Sequence, residues 1–257
     1  MISAEEEKEL TLIDHLIELR DRILKALVAV VVIFLCLFPF ANEIYVFIAD
    51  PLIAALPENS SMIAIDPTSP FFAPFKLTFY AAAVIAAPYI LYQLWSFVAP
   101  GLYKNEKAVA MPLFISSVAL FYLGIAFARY VLFGIVFGFF ISVAPEGIAV
   151  APDISSFLSF ALTIFFAFGL AFEVPIAVFL FIWAGLAEPE SLTAKRPYVV
   201  VGCFVVAMLL TPPDPFTQSM LALPMWALFE VGILAGKLVR KRQRKEEQKE
   251  EAGGAAS

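Results

Sequence analysis

Apolar stretches long enough to cross a bilayer recur one after another from Leu24 to Ala235, and no other feature of the sequence restricts its possible folds so tightly. A hydrocarbon core about 30 Å thick takes about 20 apolar helical residues, and in lipid each segment must satisfy its own backbone hydrogen bonds. The runs from Leu24 to Ala41, Phe75 to Phe97, Val109 to Ile141 and Ser155 to Ala184 therefore read as spans, the last two long enough to tilt or project. The next, Val199 to Leu210, covers only about 18 Å at about 1.5 Å per residue. With its return from Ser219 to Ala235 it reads either as a re-entrant hairpin or as two short spans in a thinned bilayer. The expected fold is all-α and polytopic, with six transmembrane helices of which the last two are short. A hydrophobic share of 61% with 16% charged residues leaves no room for a separate soluble domain.

The charges set the orientation. Lys8, Arg20, Arg22 and Lys25 precede the first span, Lys104 and Lys107 follow the second, Lys195 and Arg196 follow the fourth, and a basic cluster from Lys237 to Lys245 follows the sixth. The alternate loops, Asn42 to Pro74, Ser142 to Ile154 and Thr211 to Thr217, contain no Lys or Arg. The positive-inside rule then places both termini in the cytoplasm. Glu5, Glu6, Glu7 and Glu9 are unlike the basic start of a secretory signal, so the first span is expected to be retained.

Three regions follow: 1–23, a cytoplasmic amphipathic helix leading into the first span; 24–236, the membrane domain; and 237–257, a basic and then disordered tail. Thr11 and Asp14 have the spacing of a capping box, which predicts a helix start near Leu12. Leu12, Leu16, Leu19 and Ile23 form one stripe of that helix, and His15, Glu18 and Arg22 lie along another face. A moderately amphipathic piece, Ile44 to Leu56, is expected to lie along the outer membrane surface.

Enzymatic readings find little material. The only histidine is His15 and no aspartate lies in a span, so neither a serine–histidine dyad nor paired aspartates exist at membrane depth. No metal site and no cofactor is expected, and Cys36 and Cys203 sit in apolar runs as small hydrophobes. A small-solute transporter is the main rival reading, because Glu173 beside Pro175 is how carriers build coupling sites. No internal repeat supports it.

Several segments resemble the TatC family in order and spacing, from about Thr11 to Ala235. They are His15-Leu16-Ile17-Glu18-Leu19-Arg20, Ser69-Pro70-Phe71-Phe72, Pro88-Tyr89-Ile90-Leu91-Tyr92-Gln93 and Phe97-Val98-Ala99-Pro100-Gly101-Leu102-Tyr103-Lys104-Asn105-Glu106. Phe168 to Pro175, Lys195 to Tyr198 and Leu210-Thr211-Pro212-Pro213-Asp214 complete the set. The resemblance implies a six-helix, cup-shaped subunit of the bacterial cytoplasmic membrane that recognises twin-arginine signal peptides on folded cargo. It also implies TatB-like and TatA-like single-span partners in a hetero-oligomer with several copies, and no nucleic acid.

Individual residues carry this further. Glu18 and Glu106 are acidic groups in basic surroundings, and carboxylates bind guanidinium in bidentate fashion, which suits a paired-arginine ligand. The alternative is that Glu18 pairs with Arg22 one turn on. Arg20 and Phe97 are carried over with them, the alternatives being a positive-inside anchor and an interfacial aromatic. A carboxylate at the depth of Glu173 costs about 2.5 to 3.5 kcal/mol on insertion scales, so it must face protein or water, and Pro175 is expected to kink the helix there. Met208, Thr211 and Gln218 match positions where, by the resemblance, a partner helix docks, against the alternative of turn capping. Pro51 and Asp214 are carried over as parts of the external cap. Arg129 and Glu230 read as ionisable groups snorkelling to span ends.

Overall fold

A computed structural model of the chain describes residues 4–55, 62–98, 107–143, 151–211 and 214–254. The described residues are almost entirely helical: α1 Ala4–Leu37, α2 Ala41–Ala55, α3 Ser69–Val98, α4 Lys107–Phe127, α5 Phe133–Ser142, α6 Ile154–Ala171, α7 Val174–Trp183, α8 Pro189–Ala194, α9 Arg196–Leu210 and α10 Pro215–Gly254. Five stretches are long and apolar enough to cross a membrane, and α9 adds a shorter apolar helix. Only 6% of the apolar window in the first stretch is buried inside the protein, so its side chains need lipid as their solvent.

The chain forms two compact units. In the first, comprising 1–118 and 149–158, α1 packs along α3 through Val30, Ala82 and Ala86, with Ile33, Phe34 and Leu37 alongside. Small alanines let the two backbones approach closely, as membrane helices without a hydrophobic driving force between them require. Phe34 closes the seam with its ring 5.1 Å from that of Phe75. A 3-10 turn at Phe38–Phe40 with Pro39 in its first turn leads directly into α2, which begins at Ala41, three residues ahead of the expected Ile44. Beyond α2 the backbone of Ile63 pairs with residues 152–154, Ile63 N–H donating to Pro152 O at 3.0 Å and Ile154 N–H to Ile63 O at 2.9 Å. Asp153 caps the start of α6 by accepting from the Ser156 N–H at 2.9 Å and from the Ile65 N–H at 3.2 Å. Those donors hold its carboxyl below the usual aspartate range.

Unit two, 119–148 and 159–257, is built on close helix approach and stacked phenylalanines. Gly124 of α4 faces the backbone of α6, where a Cβ would lie 2.4 Å from the Phe168 carbonyl oxygen. Phe133 stacks on Phe165 at 4.8 Å and Phe127 lies 5.7 Å from Phe168. Gly232 and Gly236, four apart on α10, meet Pro175, Val178 and Ile182 of α7, the spacing at which small residues admit a neighbouring helix.

Several expectations need correction. Helix α1 begins at Ala4, eight residues before the capping-box position, because the Glu- and Lys-rich segment ahead of Thr11 is itself a strong helix former. The tail expected to be disordered lies in α10 as far as Gly254, and its Lys, Arg, Glu and Gln residues favour helix for the same reason. Of the last two helices α9 is short, at 15 residues, whereas α10 runs unbroken far past its apolar stretch. The third span is interrupted by a π-helical turn at Ala128–Leu132 that contains Arg129.

Neither ionisable residue read as snorkelling behaves simply so. Arg129 has its Nε sealed inside the protein and its Cζ 5.5 Å from the centre of the Tyr130 ring. Glu230 forms a bidentate pair with Arg196, Nε to Oε1 at 2.7 Å and Nη2 to Oε2 at 2.5 Å, tying the start of α9 to α10. Glu230→Leu is expected to lower the unfolding temperature of the detergent-solubilised protein, since it removes a bidentate ion pair between two helices. Thermal unfolding checks this, and the exchange Arg196→Glu with Glu230→Arg should recover at least half the loss.

Candidate functional site

Glu18 and Phe97, singled out near the first two spans, come close where the N-terminal half of α1 passes the C-terminal end of α3. Spacing at 15, 18 and 22 puts His15, Glu18 and Arg22 on one helical face, and this polar face turns toward α3 while Leu16 and Ile23 are exposed. His15 stacks on Phe97 with ring centroids 4.2 Å apart. Its Nδ1 lies 3.9 Å from Glu18 Oε2, so Phe97 and Glu18 are joined through it.

Glu18 accepts from Arg22 on the other oxygen, Oε1, with Nε at 3.0 Å and Nη2 at 2.5 Å. The helix-neighbour alternative for Glu18 is thus present in the structure. Arg22 also reaches Gln93 of α3, Nη1 standing 3.5 Å from Oε1. Gln93 is 7% exposed, which marks it as a polar group placed deliberately against α1 rather than into solvent. A cleft of about 380 Å³ lies beside this cluster, lined by Ile17, Glu18, Asp21, Arg22 and Lys25. Arg20 stays outside the cluster, paired with its neighbour Asp21 at 2.8 Å. Glu106 lies outside the described residues.

Glu173 marks the break between α6 and α7, where Phe172 and Glu173 form a turn and Pro175 starts the next helix. The helix is thus interrupted where Pro175 was expected to disturb it. The carboxylate is half-buried with Oε1 sealed from solvent. Pro175 is held from the other side by Gly232, whose added Cβ would come within 2.9 Å of the proline Cα.

Residues at the α9–α10 turn are organised mainly within the hairpin. Thr211 Oγ1 donates to Ala207 O at 2.9 Å, and Gln218 Nε2 donates across to Phe204 O at 3.1 Å. Met208 is 49% exposed. Asp214 caps α10, accepting from the Thr217 N–H at 2.8 Å and from the Thr217 hydroxyl. Pro51 lies within α2. Among the described residues no group of three His, Cys, Asp or Glu is placed to hold a metal ion.

Residues 14–224 match the family model described as Sec-independent protein translocase protein (TatC). The chain belongs to the TatC family. The Sec-independent protein translocase protein TatC of Azotobacter chroococcum mcd 1 is 55% identical over 237 residues, covering 92% of this chain and 93% of that one. The TatC protein of Escherichia coli strain K12 is 56% identical over 222 residues, 86% of each chain. A crystal structure described as the twin arginine translocase receptor TatC superposes with a TM-score of 0.79 at 34% identity, covering 87% of this chain and 98% of that one. The chain is therefore a multi-pass membrane protein and a component of the twin-arginine translocase.

Sequence reasoning placed Glu18 and Phe97 in one region and named Arg22 as a possible partner of Glu18, but assigned no role there to His15 or Gln93. The spacing of His15, Glu18 and Arg22 was the available signal. Gln93 gave none, because nothing local shows that a glutamine on α3 will face a residue 71 positions earlier.

Proposed function

We propose that this TatC-family protein docks the paired arginines of a signal peptide on folded cargo at the junction of α1 and α3, with Glu18 and Glu106 as the carboxylates and Phe97 beside them. The observation that carries this reading is Glu18 itself. It is a carboxylate already engaged by a guanidinium, flanked by a stacked His15–Phe97 pair and opening on a cleft lined by both charge signs. A site that binds arginine from its own chain has the chemistry to bind arginine from another. Arg20, fastened to Asp21, borders it.

The remaining assignments follow from the same reading. The protein sits in the bacterial cytoplasmic membrane with both termini inside, the region before the first span and the tail after Lys237 lying in the cytoplasm. TatB-like and TatA-like single-span helices assemble with it in several copies. The exposed Met208 side of α9 is the docking surface, while Thr211 and Gln218 keep the hairpin in shape for it. Pro51 and Asp214 belong to the external cap, and Glu173 serves a late transport step.

Binding of a fluorescent twin-arginine signal peptide to the purified protein tests the central claim. Glu18→Gln and Glu106→Gln are each expected to weaken binding by about tenfold or more, the value of a charge-assisted hydrogen bond, without altering thermal stability. A twin-lysine peptide should bind weakly to every form. Unchanged affinity in both variants would leave the acidic pair as a solvated surface and remove the reading.

A further inference from the structure

We propose that Arg22 is the protein's own stand-in for the ligand guanidinium: it holds Glu18 until a paired arginine docks, and then passes to Gln93. The inference rests on the reading that Glu18 receives the signal peptide. It concerns what Glu18 must give up to do so.

An arginine side chain and a carboxylate pair most strongly as two parallel bonds, one to each oxygen. Arg22 does something else. Its Nε and Nη2 both fall on Glu18 Oε1, at 3.0 and 2.5 Å, and Oε2 turns toward His15. An incoming guanidinium that takes both oxygens must displace Arg22 from Oε1. If Arg22 stayed, two or three positive charges would crowd one carboxylate, and Asp21 offers no relief because Arg20 occupies it at 2.8 Å.

The structure provides somewhere for Arg22 to go. The third nitrogen of the same guanidinium, Nη1, lies 3.5 Å from Gln93 Oε1, at the outer limit of a hydrogen bond. A small movement toward α3 shortens that contact as the contacts to Glu18 lengthen. Gln93 is buried, and a buried amide carbonyl gains from a charged donor. An ordinary helix-neighbour pair between residues 18 and 22 explains the Glu18 contact alone. It explains neither the cross-helix glutamine nor the enclosure of Arg22, whose side chain is 21% exposed against 66% for Arg20. Exchange of one guanidinium for another also favours arginine over lysine, because only a planar fork replaces both bonds that Arg22 surrenders.

The test uses the full chain in lipid nanodiscs and fluorescent peptides carrying twin arginine or twin lysine. Arg22→Leu is expected to tighten the twin-arginine peptide by about three- to fivefold, the range for a partly exposed pair, and to change the twin-lysine peptide less. Gln93→Leu should weaken twin-arginine binding by a similar factor, and that effect should vanish in the Arg22→Leu background. Arg22→Gln, which keeps a polar group, serves where the leucine variant inserts poorly, with the same direction expected. Equal tightening of both peptides would show a plain gain in negative potential and overturn the exchange. So would weaker binding by the Arg22 variants, or a Gln93→Leu effect that persists without Arg22. Glu18→Gln measured alongside separates the two claims. Full affinity in that variant removes the docking site itself, whereas lost affinity with no response to Arg22 removes only the exchange.

Discussion

Glu173→Leu is expected to reduce export of a folded twin-arginine reporter by about ten- to a hundredfold while leaving the signal peptide bound. The size is that of one or two hydrogen bonds to a charged group. The two readouts are expected to separate because Glu173 belongs to the α6–α7 break of the second unit and the proposed docking residue Glu18 to α1 of the first. A carboxylate at this depth is retained only where protein or water answers it, and the break supplies backbone groups that an intact helix would have used internally. Leucine removes the polar group without restoring the helix, because Pro175 still lacks its N–H. Glu173→Gln keeps the hydrogen-bonding capacity and should keep much of the export. If glutamine fails as badly as leucine, the negative charge itself is required. Full export by the leucine variant would leave Glu173 with no part in transport.

Gly124→Val is expected to prevent stable accumulation of the protein. A Cβ at this position would stand 2.4 Å from the Phe168 carbonyl oxygen and 3.0 Å from the Phe172 Cβ, and a backbone oxygen in a helix cannot rotate aside. Helices α4 and α6 must separate, loosening the Phe127 contacts to Phe168 and Phe172. Overpacking typically costs about 1–3 kcal/mol, and more where backbones collide, a large share of any domain's stability. Gly134 is the control, since nothing lies within 4 Å of its added Cβ. Gly134→Ala should accumulate normally, even gaining slightly from the better helix propensity of alanine. Protein levels in membranes and unfolding temperatures in detergent compare the two, and equal behaviour would show that the α4–α6 seam is not tight.

What the sequence made legible was whatever depends on short-range chemistry. Spans follow from hydropathy, and the break at Glu173 from a proline two residues on. The misplacements have a common physical origin in signals that work only where competing terms are weak. Thr11 and Asp14 fit a capping box, yet caps decide a helix start only when the preceding residues prefer another conformation, and Glu5 to Leu10 do not. The π-turn at Ala128–Leu132 leaves no compositional trace, because apolar residues continue on both sides of it without a change of pattern. Glu230 and Arg196 are 34 positions apart, and only the hairpin geometry brings them together. The polar cluster on α1 shows both sides at once: a local periodicity assembles His15, Glu18 and Arg22, and a tertiary contact adds Gln93.

Helix α1 runs for 34 residues, about 51 Å, and its buried seam with α3 lies around Val30. Contacts continue to either side of that seam, from the His15 ring stacked on Phe97 to the Phe34 ring against Phe75. Two rods fastened at both ends and in the middle cannot pivot about one another, so they bend and shift as a pair. A load applied at the Glu18 end is therefore shared by α1 and α3, and α2, which α1 enters directly through the Phe38–Phe40 turn, shares it too.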